Sequence, residues 1–333
     1  MRQRVYLDYN ASAPLRPEAA EYMTSLMGPA RNPSSIHSFG RSSKVILETA
    51  RADLAELAVG DASGFIFTSS GTEANNTALL GFGKVITCSV EHSAILEARP
   101  DAQKIGVGND GEINLSELDS ALRQAKKSGE EILVSVMLVN NETGRIQTIE
   151  KLLEICQFYD VAFHSDMVQA LGKIPIKLDE WSRSGLAMAS FSAHKIGGPP
   201  GVGALWIAPG RQMPQLIKGG GQEKGRRSGT ENIYGIAGFG AAAKAACSWQ
   251  NHAKLWPKWR SEFVRKLQKS CPNIVLTTKD APCVNNTVSL LLPAVPAQIA
   301  VMSLDMHGFA ISSGAACSSG KVQESHVMKS MGF

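Results

Sequence analysis

The sequence predicts an α/β fold: a large domain built on a doubly wound, mostly parallel sheet, with a smaller α+β domain beside it. Three observations carry this. Short apolar runs (Phe65–Thr68, Val85–Cys88, Ile132–Leu138, Val161–His164, Gly185–Phe191) alternate with longer stretches of helical periodicity, the order that builds parallel sheets through crossover helices. The run Ile132–Leu138 is almost wholly apolar, as a strand covered on both faces should be. Several runs end in polar clusters, and open α/β sheets hold ligands beyond the carboxyl ends of their strands.

Taken in order, Val5–Pro14 reads as a short strand and an irregular polar turn, and Pro17–Met27 as a helix with proline in its first turn. Asn32–Gly40 is expected to be a loop and Arg41–Leu57 an amphipathic helix. After the strand Phe65–Thr68, Ser69-Ser-Gly-Thr-Glu-Ala-Asn-Asn opens a helix reaching Leu80. A glycine turn and a hydroxyl at a helix N-terminus can hold a phosphate, because unpaired N–H groups and the positive helix end face the anion. An ordinary N-cap by Ser70 or Thr72 explains the same residues. His92 follows the second strand at a strand-to-helix junction, where a structural histidine is the commoner case.

Leu115–Ala125, capped by Asn114 or Ser116, and Ile149–Tyr159 are expected helices. The strand Ile132–Leu138 leads to Asn140-Asn-Glu-Thr-Gly, and Val161–His164 leads to Ser165-Asp166-Met-Val-Gln169. The run Gly185–Phe191 delivers Ser192-Ala-His194-Lys195 onto the glycine-rich segment Gly197–Gly203. A small-residue helix from Tyr234, a helix Leu255–Leu267 bent or begun near Pro257, a strand Val288–Leu292, a helix Pro296–His307 and a strand Phe309–Ser312 follow. The division expected is a large domain over residues 15–245, and a small one made of residues 1–14 and 246–333.

The composition is that of a soluble globular chain, 44% hydrophobic and 19% charged over 333 residues. A net charge of +4 with no long basic run gives no reason to expect nucleic acid. No apolar run approaches the roughly 18 residues of a membrane span, and the N-terminus lacks the apolar core of a signal peptide. The six cysteines form no CxxC pair, which argues against a disulfide framework or a zinc site and fits a reducing cytoplasm.

Lys195 is the centre of the chemical reading. Most loop lysines are surface lysines. A partly desolvated one at a strand end can lose its charge and form a Schiff base with an aldehyde. Nearby strand ends offer a phosphate cup (Gly71, Thr72), an asparagine (Asn141), an Asp-x-x-Gln (Asp166, Gln169) and a Ser-x-His-Lys. Pyridoxal phosphate would use them all, since it needs a lysine, a carboxylate for its pyridine nitrogen and a phosphate site.

Nine stretches then carry a family resemblance: Tyr6-Leu-Asp-Tyr-Asn-Ala-Ser-Ala-Pro, Asn32-Pro-Ser-Ser-Ile-His, Gly71-Thr-Glu-Ala-Asn-Asn, Glu91-His, Val139-Asn-Asn-Glu-Thr-Gly, His164-Ser-Asp-Met-Val-Gln, Phe191-Ser-Ala-His-Lys, Arg227-Ser-Gly-Thr-Glu-Asn and Ser312-Ser-Gly-Ala-Ala-Cys-Ser-Ser-Gly. Together they resemble the cysteine desulfurases of the class V aminotransferase branch, fold-type I pyridoxal phosphate enzymes. The resemblance spans essentially the whole chain.

It implies catalytic roles for Lys195, which forms the Schiff base and moves a substrate proton, and for His92, which stacks on the ring. Asp166 would pair with the pyridine nitrogen, Gln169 with the phenolic oxygen, and Asn141 would lie near that oxygen and the substrate carboxylate. Gly71, Thr72, Ser192 and His194 would hold the phosphate. Thr230 of a second copy would complete the cup, so a homodimer is implied. Cys317 would be the nucleophile that takes sulfur from L-cysteine, releasing alanine. A free thiol's pKa of about 8.5 leaves only a small thiolate fraction at neutral pH. The short loop around Cys317 is of the type that hands sulfur to an acceptor such as an iron–sulfur scaffold. No resident metal is implied, beyond transient contact of Cys317 with a nascent iron–sulfur cluster.

The sequence departs from the family in three places. Met167 and Val168 stand between Asp166 and Gln169 where small residues are usual, and Ala315 stands where serine is common. The chain stops at Phe333, short of a family segment whose arginine clamps the substrate carboxylate, and no arginine follows Arg265. Two other readings are therefore kept: a catalytically impaired cofactor-binding partner or sulfur-relay subunit, and a related aminotransferase or lyase.

Overall fold

The computed structural model describes residues 4–249, 252–293, 295–314 and 324–333. In chain order, a short strand β1 (Val5–Tyr6) precedes helices α1 (Pro17–Ser25) and α2 (Ser38–Ala58). Strands β2 (Phe65–Thr68), β3 (Lys84–Cys88), β4 (Gln103–Ile105), β5 (Ile132–Ser135), β6 (Ala162–Asp166), β7 (Leu186–Ser192) and β8 (Gly203–Ile207) form one sheet. Between them lie helices α3 (Gly71–Ala78), α4 (Ser93–Leu96), α5 (Leu115–Ala125), α6 (Ile149–Phe158) and α7 (Leu178–Arg183).

The sheet order is β2-β8-β7-β6-β5-β3-β4. All neighbours are parallel except the two pairs made by β8, which runs against the rest. The expected doubly wound, mostly parallel sheet is therefore present. The stretch expected to be a glycine-rich turn gives way at Gly203 to the one reversed strand.

Side-chain alternation shows why both faces are covered. Phe65, Phe67, Ile132, Val134, Ala204 and Trp206 enter a core shared with α2, α5 and α6. Their neighbours Ile66, Leu133, Leu205 and Ile207 enter a second core under α3. A period of two on a sheet packed from both sides yields these continuous apolar runs. Each large side chain so buried stabilises the fold by about 1.5–3 kcal/mol.

Helix α2 begins three residues before the expected Arg41, because the His37 side chain accepts the Gly40 N–H at 3.3 Å and caps it. Beyond the sheet, α8 (Gln222–Gly225) and α9 (Ile233–Trp249) lead to α10 (Trp256–Ser270), which carries Pro257 in its first turn, so proline starts this helix. Strands β9 (Val275–Leu276) and β10 (Leu290–Leu291) pair antiparallel. After α11 (Ala297–Met306), β11 (Phe309–Ala310) pairs parallel with β1, and α12 (His326–Ser330) closes the described chain. Val327 and Met331 of this last segment are buried in the main core.

Candidate active site

The polar clusters expected at the strand ends meet on one edge of the sheet. Strand β6 ends in Asp166, and its carboxylate is held by two donors, Asn75 Nδ2 at 2.6 Å and the Val168 N–H at 2.9 Å. Asn75 lies on α3, so the helix after β2 reaches across to the end of β6. Strand β7 ends in Ser192, and one turn of 3-10 helix (Ala193–Lys195) then presents His194 and Lys195.

Helix α3 opens with a reciprocal cap. Ser70 Oγ accepts the Glu73 N–H at 3.1 Å, while Glu73 Oε2 accepts the Ser69 N–H at 2.7 Å. Ser70 is thus the N-cap, and Thr72 stays exposed in the first turn. Of the two residues expected as N-cap, Ser70 is the one that serves. A Cβ on Gly71 would come within 2.9 Å of Val168 Cγ2 and 3.3 Å of Ser192 Cβ. Glycine here lets the helix start lie directly against the ends of β6 and β7.

Asn10 is the hub of the opposite wall. Its carbonyl oxygen accepts from Gln169 Nε2 at 2.9 Å and from Lys195 Nζ, which also donates to the Ala11 carbonyl at 3.0 Å. Its side chain donates to the Asn141 carbonyl at 3.0 Å and accepts from Thr287 Oγ1 at 3.2 Å. The loop carrying Asn141 is itself fixed by Asn140, whose Oδ1 accepts from the Glu142 N–H and the Thr143 N–H and whose Nδ2 donates to the Val90 carbonyl.

The site favours uncharged bases. His92 caps α4 by accepting the Ala94 N–H at 3.1 Å, and burial lowers its pKa, with Lys195 and His326 adding to the shift and Asp166 opposing it. His194, 3.3 Å from Ser12 Oγ, is pushed down to about 4 by burial and by the ammonium groups of Lys195 and Lys173. Lys173 donates to Gln169 Oε1, and burial and Lys195 bring its ammonium down to about 7. Glu91 is fully buried beside His92, its Oε1 accepting the Met137 N–H at 2.6 Å. Burial raises that carboxyl well above its usual range.

The structure therefore brings together Gly71, Thr72, Asn141, Asp166, Gln169, Ser192, His194 and Lys195 on neighbouring strand ends and loops, with His92 within electrostatic reach of Asp166 and Lys195. Thr230 is exposed after a loop pinned by Arg227, which pairs with Glu73 at 2.9 Å. Cys317 and Ala315 lie outside the described residues. Asn10, Asn75, Glu91, Glu142 and Lys173 are added by the fold. The motif stretches contain four of them, but no spacing rule says that a carbonyl oxygen at Asn10 would be the common acceptor.

The donor set suits pyridoxal phosphate. It offers a primary amine for the aldehyde, a carboxylate with both oxygens held, and a helix start whose glycine admits no Cβ. A family model described as aminotransferase class-V matches residues 5–332. Among relatives, the chain is similar to cysteine desulfurase IscS of Dictyoglomus turgidum, 37% identical over 348 residues, which cover 99% of this chain and 86% of the relative. It is likewise 37% identical over 349 residues to a cysteine desulfurase of Cereibacter sphaeroides, covering 99% and 87%. Among solved structures, a NifS-like protein from Rickettsia africae superposes with a TM-score of 0.90 at 35% identity, covering 99% of this chain and 90% of that one.

Proposed function

Because the chain belongs to the class-V aminotransferase family, we infer that it is a pyridoxal phosphate-dependent cysteine desulfurase. It takes L-cysteine, leaves the sulfur on an enzyme cysteine and releases L-alanine. The observation that carries the reading is the convergence of Lys195, the doubly held Asp166 and the glycine start of α3 on adjacent strand ends.

When bound, pyridoxal phosphate supplies an electron sink for the charge that develops on substrate carbon. The chain's own residues do the rest. Lys195 Nζ would hold the cofactor through its aldehyde and would carry protons at the substrate carbons. Asp166 would keep the pyridine nitrogen protonated, and Asn75 orients that carboxylate. Gln169 would serve the phenolic oxygen, with its amide fixed by Lys173 on Oε1. His92 would face the ring. Gly71, Thr72, Ser192 and His194 would receive the phosphate, joined by Thr230 from a second copy of the chain. Asn141 serves the substrate side.

At Cys317, the thiolate attacks the substrate sulfur and the carbon–sulfur bond breaks, its electron pair returning to carbon. The balance is thiol plus L-cysteine to persulfide plus L-alanine, with no external oxidant. The persulfide then serves an acceptor protein such as an iron–sulfur scaffold. A homodimer in the cytoplasm fits this role. No helix among the described residues is long and apolar enough to cross a membrane. The pairing of β1 with β11 supports the division into residues 15–245 and residues 1–14 with 246–333.

Borohydride reduction of the loaded protein, followed by peptide mass spectrometry, should place a phosphopyridoxyl adduct on Lys195, and Lys195→Ala should lose it. Purified protein mixed with L-cysteine should yield alanine and sulfide. Cys317→Ser should keep the visible spectral response to L-cysteine yet form no persulfide. An adduct elsewhere, or sulfide release by Cys317→Ser at the parent rate, would overturn the assignment.

A further inference from the structure

Lys173 lies outside the motif stretches, yet it stands against the site. It belongs to the turn that follows β6, where its N–H donates to the Ala170 carbonyl at 3.0 Å. Gly172, at φ 71°, brings that turn against the residue after Lys195, since a Cβ there would lie 3.3 Å from Ile196 Cγ2. The two lysines are therefore carried by touching segments. A string of hydrogen bonds also joins them. Lys173 Nζ donates to Gln169 Oε1, Gln169 Nε2 donates to the Asn10 carbonyl at 2.9 Å, and Lys195 Nζ donates to that same carbonyl. An ammonium only donates and a carbonyl only accepts, so both ends dictate which way the Gln169 amide faces.

A buried lysine is ordinarily paired with an anion. Among the described residues, no carboxylate forms an ion pair with Lys173. The charged neighbour that acts on it is instead the ammonium of Lys195. We propose that Lys173 and Lys195 are charge partners: beside Gln169 the two amines share one positive charge at neutral pH, and Lys173 carries it when Lys195 gives it up. The proposal rests on the reading of Lys195 as the amine that takes the aldehyde. Lys173 is a positioning residue here, since it acts through Lys195 and Gln169.

Burial first, then the Lys195 ammonium, brings Lys173 down to about 7. Like charges disfavour each other, so loss of the Lys195 charge lets Lys173 bind its proton more tightly. The ammonium so regained points at Gln169 Oε1. A charged donor on one end of an amide strengthens the N–H groups at the other. Gln169 Nε2 is thus the better donor when Lys195 is neutral. The coupling is mutual: while Lys173 is charged it favours the neutral form of Lys195, and that help fades as pH rises through about 7. Two imidazoles face the pair. Burial, then Lys195 and Lys173, pushes His194 down to about 4, and burial lowers His92, with Asp166 opposing and Lys195 and His326 adding. Both are therefore mostly uncharged at pH 7, where the lysines exchange their proton.

The test uses the full chain, stripped of cofactor, and the variants Lys195→Ala, Lys173→Met and Lys173→Arg. Labelling with trace acetic anhydride across pH, followed by peptide mass spectrometry, gives each amine a titration midpoint that does not depend on its exposure. Lys173 of the parent should titrate at about 7. In Lys195→Ala that midpoint should rise by about one unit, so its labelling at neutral pH falls about five-fold. Lys173→Met should slow the labelling of Lys195 about five-fold at about pH 6.5 and leave it within about two-fold at about pH 9, where Lys173 is already neutral. Arginine keeps its charge throughout, so Lys173→Arg should instead speed Lys195 labelling about five-fold at about pH 9. The rate at which added pyridoxal phosphate develops its visible band should follow the same pattern. A merely structural role for Lys173 would move the Met and Arg variants alike. Equal Lys173 midpoints in the parent and in Lys195→Ala, or Lys195 profiles that Met and Arg shift in the same direction, would overturn the partnership. The first comparison leaves Lys173 in place, so the test survives if its variants fold poorly. Borohydride reduction of the loaded parent judges the other reading separately: an adduct away from Lys195 removes that assignment, whereas the midpoints judge the charge partnership alone.

Discussion

His164 shows how one buried side chain can join three strands. Its Nδ1 lies 2.9 Å from Ser135 Oγ on β5 and its Nε2 lies 2.9 Å from Ser190 Oγ on β7, while the residue itself is on β6. Complete burial pushes its pKa down to about 3. The unfolded chain, with a histidine near 6.5, therefore binds more protons between those values, so stability falls as pH drops below about 6.5, by roughly 1.4 kcal/mol per unit. Urea unfolding of the parent and of His164→Gln, from pH 7 down to pH 4, should give curves that converge at about that rate. Parallel curves would show that the folded imidazole takes up its proton as readily as the unfolded one. The sequence contains this residue inside a recognisable motif, yet gives no sign that its partners are two serines on adjacent strands. Register decides that, and register is a property of the assembled sheet.

At the scale of elements, the loop around α8 is the clearest case of strain held by packing. Glu223 and Lys224 occupy the left-handed region at φ 47° and 58°, a conformation that costs side-chain-bearing residues about 1–2 kcal/mol each. The Glu223 carboxylate offsets this by accepting from Arg51 Nη1 at 3.0 Å and Nη2 at 3.2 Å and from the Phe67 N–H at 3.0 Å, with both ion-pair side chains 2% exposed. Removing one member of a buried pair leaves the other uncompensated, so Glu223→Ala should lower the unfolding free energy by about 3–5 kcal/mol. A change below about 1 kcal/mol in urea melts would mean that Arg51 finds another acceptor. The cap of α3 is a smaller contribution, and Ser70→Ala should cost about 1 kcal/mol. Such caps were legible, since Ser-x-x-Glu and Asn114 stand where helix starts were expected. The reversed strand β8 was not. It begins at a glycine, directly after a glycine–proline turn, so the punctuation that marks a loop also hides the start of a strand.

For the whole molecule, the repeating order of strand and helix made the sheet readable, because each run must be apolar on both faces to lie where it does. The small elements were readable only in part. Strands β9, β10 and β11 are two residues each, too short for any periodicity to appear. Helices α10 and α11 bury no residue among those described and carry exposed Trp259, Phe263, Ile299 and Met302. On the large domain, Ile36 and Val45 are 91% and 66% exposed, and Thr230 is exposed too. The proposed homodimer predicts a sedimentation mass near twice the 35.6 kDa chain. Thr230→Ala should weaken pyridoxal phosphate retention while leaving that mass unchanged. A monomer that keeps its cofactor at nanomolar concentration would contradict a shared phosphate cup.

The pairing of the first strand with one of the last has a consequence for synthesis. The Asn10 wall hangs from β1, and β1 is fixed by residues 309 and 310. On the opposite side, β2, which launches α3, reaches β7 only through β8, more than a hundred residues later in the chain. The first wall can therefore close only after β11 has been made, and the second only after β8. Contacts between residues so distant in sequence also form late, since the loop-closure cost comes before their reward. A nascent chain thus offers its lysine to aldehydes before it has a pocket to select among them. The formation of these distant pairings, rather than affinity, would then decide when each molecule becomes competent to take up its cofactor.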